Sequence, residues 1–193
     1  FMVPAALLPA RPLADGAFGE RRNPGDGQRQ LLTTAVLEAM VRDKPADAFA
    51  VVELTMVDLY PDPAWNFVFG QARPTDAVGI FSFARYAPDG DALTPAQGTR
   101  LLTRSCQVLA HEIGHLFGID HCIWFHCVMN GANHLQESDL QPMHCCPVDL
   151  RKLQAATGCD VLERYRGLQA LCAQWGLTEE QAWLDAEIVR LAR

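Results

Sequence analysis

The chain has 193 residues and a formal net charge of −7, without the basic excess that nucleic-acid binding uses, so no nucleic-acid partner is expected. No stretch approaches the roughly 20 consecutive apolar residues that span a bilayer, so no membrane partner is expected. Seven cysteines are an odd number, and four of them (Cys122, Cys127, Cys145, Cys146) crowd a segment that also holds histidines, a pattern of metal binding in a reducing compartment rather than of a disulfide framework.

The opening, FMVPAALLPARPL, has no basic region before its short apolar run, so a secretory signal is not expected there. The expectation is a soluble monomer in the cytoplasm or, in a eukaryote, the nucleus. Residues 30–42 carry Leu32, Val36, Ala39 and Met40 at helical spacing and predict a helix. Residues 50–60 (AVVELTMVDLY), 66–70 and 79–86 (GIFSFARY) are short, rich in β-branched and aromatic residues, and separated by Pro, Asp and Gly. They predict three strands.

Residues 99–117 place Leu102, Cys106, Leu109, Ile113 and Leu116 at intervals of 4, 3, 4 and 3, which predicts a helix with one buried stripe. Some forty residues dense in Cys, His, Pro and Gly follow Gly118, and segments 162–171 and 179–191 turn helical again. The length suits one catalytic domain, residues 1–193, with an N-terminal lobe of about 1–118 and a C-terminal lobe of about 119–193.

From His111 the chain reads HEIGHLFGIDH, a match to H-E-x-x-H-x-x-G-x-x-H. At ordinary residue frequencies a chance match in so short a chain has odds on the order of one in a hundred thousand. Residues four apart on a helix lie about 6 Å apart along one face, so His111 and His115 can converge on one ion. His121 would lie roughly 15 Å from His111 on a continued helix, whereas a zinc–nitrogen bond is about 2.0–2.1 Å. The chain must therefore turn sharply, and Gly118 is placed to do so as the left-handed residue after the helix. Three neutral imidazoles leave a tetrahedral zinc one open position, as catalysis requires, and Glu112 is placed to activate a water there.

At these residues the chain resembles the metzincin metallopeptidases, and within them the archaemetzincin (archaelysin) family. The likeness continues through HCIWFHCVM, where Cys122, Cys127 and Met129 follow His121, and to Cys146; upstream, TMVDLYP, WNFVFGQA and GIFSFARY share it. The resemblance covers roughly residues 30–154. It implies an α/β (α+β) metzincin-like catalytic domain: a twisted mixed sheet with a backing helix, and an active-site helix over a mostly helical, Cys-rich C-terminal lobe. It also implies two zinc ions, one catalytic and one structural.

The structural zinc of the family is held by four cysteines, and Cys122, Cys127 and Cys146 match three of them. The fourth position is Asp149, within CPVD. Zinc accepts carboxylate oxygen, so Asp149 is one candidate ligand, with Cys145 or His144 as substitutes. Met129 matches the methionine of the turn beneath the catalytic zinc, and Met143 is the alternative. Cys106, Cys159 and Cys172 fit no ligand spacing and are assigned to packing. Gly131 stands where some metzincins carry an oxyanion-stabilising tyrosine. The resemblance further leads us to expect that this sequence lacks, before Phe1, a first strand and a helix backing the sheet that the relatives carry.

The function these readings imply is peptide-bond hydrolysis by a zinc-activated water, with Glu112 as general base and a peptide or protein as substrate. Gly79, Ile80, Phe81 and Ser82 are candidates for an exposed edge strand to which a substrate adds through its backbone, although their alternation suits an interior strand as well. Arg85 reads as a solvated charge. Two other functions remain open at this point, a non-catalytic Cys/His zinc module for protein interaction and a zinc hydrolase of a non-peptide amide.

Overall fold

The computed structural model describes residues 1–13, 16–86, 93–132 and 134–192. They form a mixed α+β arrangement that divides into two compact units, one of Leu7–Gly90 and the other of Phe1–Ala6 with Asp91–Arg193.

The first unit contains β1 (Arg21–Arg22), β2 (Arg29–Leu32), α1 (Thr33–Asp43), β3 (Val51–Thr55), β4 (Asp58–Tyr60), β5 (Gly70–Arg73) and β6 (Val78–Ser82). The strands make two three-stranded mixed sheets, β1-β2-β4 and β3-β6-β5, rather than one. A single bridge, Leu59 to Val68, pairs β4 with the chain just before β5. Helix α1 turns Val36, Leu37 and Met40 onto Leu31, Leu59, Val78 and Ile80, and these seven buried side chains are the core. At about 25 cal/mol per Å² of apolar surface removed from water, that face holds the helix in place more than its own propensity does.

Two expectations change here. Gln30 and Leu32 are strand, not helix: β2 pairs in parallel with β4 through Gln30–Asp58, Leu31–Leu59 and Leu32–Tyr60. Gln30 is fully buried, and its amide donates to Asp58 Oδ2 (2.7 Å) and to the Asn66 carbonyl (2.8 Å). Segment 50–60 is two strands because the Thr55 hydroxyl accepts from the Val57 amide (3.0 Å), a local turn that competes with the ladder.

The edge-strand expectation for Gly79, Ile80, Phe81 and Ser82 is overturned. Strand β6 is the middle strand of its sheet, parallel to β3 and antiparallel to β5, and all four residues are buried. Its backbone groups are committed on both sides, so none is left for an added peptide. Arg85 is likewise no free surface charge. It forms a two-point ion pair with the buried Asp58 (2.6 and 2.9 Å), reaches Asp26, and lies 3.8 Å over the Phe67 ring.

The second unit is helical: α2 (Pro95–Leu116), α3 (Leu135–Ser138), α4 (Pro147–Thr157), α5 (Val161–Trp175) and α6 (Thr178–Leu191). Helix α2 belongs with these C-terminal elements, and the compact units part near residue 90. Gln107 on α2 donates to the carbonyls of Ser138 and Gln141, and Arg104 pairs with Asp139, which ties the helix to the α3 region. Its predicted stripe is mostly half-buried; Leu116 alone of the five is fully buried. A capping box starts the helix, with Gln97 N donating to Thr94 Oγ1 and Thr94 N to Gln97 Oε1, and Pro95 follows at the first helical position. Among the described residues no helix is long and apolar enough to cross a membrane.

Candidate metal centres

The end of α2 builds the first centre. Phe117 is the C-cap and Gly118 follows with φ +74°. The Gly118 amide donates to His115 O (3.0 Å) and the Ile119 amide to Gly114 O (3.1 Å), the paired bonds of a Schellman motif. Ile119 is buried just past the turn. The reversal brings His121 back beside the helix, and its ring centroid lies 5.1 Å from that of His111 and 5.0 Å from that of His115. One ring nitrogen of each histidine falls within a common 4.8 Å.

Backbone carbonyls fix two of the rings. His111 Nδ1 lies 2.8 Å from Val128 O, and His115 Nδ1 lies 2.7 Å from Ile119 O. A carbonyl only accepts, so both Nδ1 atoms carry the proton and both Nε2 atoms keep a lone pair. Those two Nε2 atoms are 3.1 Å apart. Facing lone pairs at that distance repel unless a cation lies between them, and a tetrahedral zinc sets its nitrogens about 3.3 Å apart. Burial, with the other two imidazoles adding to it, lowers the His111 pKa to about 4, so the ring is neutral and ready to ligate at pH 7. Burial likewise raises Glu112 to about 7.

Met129 is buried and packs against α2 at Gly114. A Cβ on Gly114 would lie 2.5 Å from its Sδ, so the helix and the methionine meet only because residue 114 is glycine. Met143 belongs instead to the α5/α6 core. Gly131, having no Cβ, leaves room for the His121 ring, since a Cβ there would stand 3.3 Å from its Nδ1.

The second centre begins one residue on. Cys122, Cys127, Cys146 and Asp149 are all buried, with one donor atom from each within a common 4.8 Å. Cys122 Sγ and Cys146 Sγ are 3.9 Å apart, and Asp149 Oδ2 lies 3.3 Å from Cys127 Sγ and 3.6 Å from Cys146 Sγ. A tetrahedral zinc spaces two sulfurs about 3.8 Å apart, and a sulfur and an oxygen about 3.6 Å apart. The donors therefore fit that ion. Cys127 Sγ receives amide N–H groups from Met129 (3.4 Å) and Cys146 (3.1 Å), and Cys146 Sγ receives that of Asp149 (3.4 Å). Burial would raise Asp149, but hydrogen bonds from Lys152 and Cys127 outweigh it and hold the carboxyl below its usual range.

The substitutes for Asp149 lie elsewhere. Cys145 is outside the cluster, with its thiol pushed up to about 11 by burial. His144 stacks on Trp183 at 3.5 Å and meets Glu180 at 3.0 Å. Cys106, Cys159 and Cys172 also stand outside both groups, and Cys159 and Cys172 are buried.

Three contributors escaped the sequence reading. The carbonyls of Val128 and Ile119 set the imidazole tautomers, and no side-chain pattern marks a carbonyl. Asn130 accepts from the Cys127 amide (2.8 Å) and donates to the carbonyls of Cys122 (2.7 Å) and Phe125 (2.8 Å), closing the loop that links the centres. An Asn directly after the turn methionine was the available signal.

Residues 29–155 match Peptidase family M54. The chain belongs to that family. It is 42% identical over 186 residues to archaemetzincin-2 of Macaca fascicularis, covering 84% of this chain and 52% of that one. It is 34% identical to human archaemetzincin-1, over 87% of this chain and 40% of that one. The chain thus spans about half the length, or less, of these curated relatives. Among solved structures it is similar to the archaemetzincin of Methanopyrus kandleri, with a TM-score of 0.58 and 33% identity over 76% of this chain and 73% of that one. The archaemetzincin of Archaeoglobus fulgidus, solved with malonate, gives 0.55 and 28% over 75% and 79%.

Proposed function

We propose that the chain is a zinc-dependent peptidase, with His111, His115 and His121 holding a catalytic zinc and Cys122, Cys127, Cys146 and Asp149 a second, structural one. The observation that carries the reading is the 3.1 Å approach of two Nε2 atoms whose Nδ1 partners are both committed to carbonyls. Membership of family M54 supports the same reaction.

When bound, zinc supplies a Lewis acid that makes water acidic and polarises a substrate carbonyl. The chain's own residues do the rest. Val128 O and Ile119 O keep His111 and His115 in the tautomer that offers Nε2 inward. Glu112, next to a ligand and buried, takes a proton from the attacking water and passes it to the leaving amine. A carboxyl near 7 in the absence of a cation is suited to both transfers, and a dication nearby strengthens its ionised, proton-accepting form. Met129 under Gly114 supports the ring cluster from below.

The substrate class that follows is a peptide or protein. Cleavage of a quenched peptide library, measured before and after chelation and again after zinc is restored, tests the assignment. Activity that is lost and then regained supports it. Cleavage indifferent to the chelator, or a protein that binds no zinc, sinks it.

A further inference from the structure

Four thiolates suit a structural zinc, and this chain offers three sulfurs and a carboxylate. A carboxylate has two oxygens and can bind an ion through one or both, so its geometry is not fixed as a thiolate's is. Something must select one oxygen. Lys152 Nζ lies 2.8 Å from Asp149 Oδ1, while Oδ2 faces Cys127 and Cys146. The two residues stand one turn apart on α4, the helix whose N-cap is Cys146 and whose first residue is Pro147. The Asp149 amide donates to Cys146 Sγ, so the backbone of that first turn is already committed to the cluster. Asp149 is almost wholly buried, whereas the Lys152 side chain is half exposed. The ammonium therefore reaches inward to a carboxylate that cannot move out to meet it.

Resting on the zinc reading above, we infer that Lys152 is a positioning residue that holds Asp149 as a one-oxygen ligand in the place of a fourth thiolate. Its hydrogen bond occupies Oδ1 and directs Oδ2 at the ion. An exposed i, i+3 helix pair with no such role adds little to stability and has no bearing on a metal. The inference therefore predicts effects at the metal that such a pair would not have.

The test uses the full chain loaded with cobalt(II), whose thiolate charge-transfer absorbance scales with the number of sulfurs and whose visible d–d bands weaken above four-coordination. Wild type shows the absorbance of three thiolates and strong four-coordinate bands. Asp149→Cys raises the charge-transfer absorbance by about a third, from three sulfurs to four. Lys152→Ala keeps the three-thiolate absorbance, weakens the d–d bands as Oδ1 joins the ion, and loosens cobalt about 10- to 100-fold in a chelator competition. Lys152→Arg restores both. An alanine variant with wild-type bands and affinity overturns the role of Lys152 while leaving the three-sulfur site intact. Absence of any thiolate charge transfer in the wild type overturns the metal reading and this inference together.

Discussion

His111 and His115 are half-buried and His121 is exposed, whereas Cys122, Cys127, Cys146 and Asp149 are all buried, although His121 and Cys122 are neighbours in the chain. The first group offers three donors and leaves a side open to solvent; the second offers four and closes. A catalytic ion needs an exchangeable position and a structural ion is destabilised by one, so the contrast is the one that the two proposed roles require. The two groups are also mechanically joined. The Cys122 amide donates to Met129 O, and Asn130 spans the carbonyls of Cys122 and Phe125 and the amide of Cys127, so the loop of the sulfur cluster also carries Val128, whose carbonyl orients His111.

The largest effect that sharpens this contrast is chemical and confined to the open group. Glu112→Ala removes the proton acceptor without touching a ligand, so turnover falls about 10²- to 10⁴-fold while zinc content per chain stays at the wild-type value. Parallel kinetics and metal analysis check it. A variant that keeps its zinc and its rate refutes the role of Glu112.

Next comes a change in the closed group. Asp149→Ala leaves three sulfurs and a vacant position in a buried site, so one zinc per chain is lost. Since a zinc there would hold the loop between Cys122 and Cys146, the melting temperature falls by more than the roughly 2–4 °C that 1 kcal/mol is worth in a chain of this size. Metal analysis and thermal unfolding test the two halves separately. Loss of the His-bound zinc with the Cys-bound one retained would reverse the assignment.

Much of this contrast was legible in the sequence because it is local. His111, Glu112, His115, Gly118 and His121 lie within eleven residues, and helical geometry alone dictates where the turn must fall. The spacing of Cys122 and Cys127 and the presence of Asp149 were visible too, but choosing Asp149 over Cys145 needed the direction of the α4 first turn, which points one inward and leaves the other outside. Helix α4 itself was hidden because Cys and Pro read as loop punctuation, while in the fold Cys146 is the N-cap and Pro147 occupies the first helical position where its missing N–H costs nothing. In the sheet unit the failures have a different origin. Gln30 is polar at a position where a strand is wholly buried, and its partners Asp58 and Asn66 lie 28 and 36 residues away. On one side β6 pairs with the nearby β5, but its other partner, β3, lies 27 residues back in the chain (Val51 with Val78), so alternation in residues 79–86 could not separate an edge from a centre.

The smallest effect tests the turn that joins the two groups. Gly118 has φ +74°, yet a Cβ there would meet nothing within 4 Å, so Gly118→Ala introduces conformational strain without a clash. For an L-residue in the left-handed region that strain is about 1 kcal/mol. The expected loss is therefore a melting temperature lower by about 2–4 °C, with zinc content and turnover close to wild type, because the Schellman bonds from Gly118 N and Ile119 N use backbone atoms the alanine keeps. A much larger loss of zinc from this variant would mean that His121 reaches the cluster through a turn under strain, with the reversal itself as the weak point of the open group. A loss confined to stability instead means that the reversal returns His121 without depending on the glycine, while the carbonyls of Val128 and Ile119 keep His111 and His115 in position.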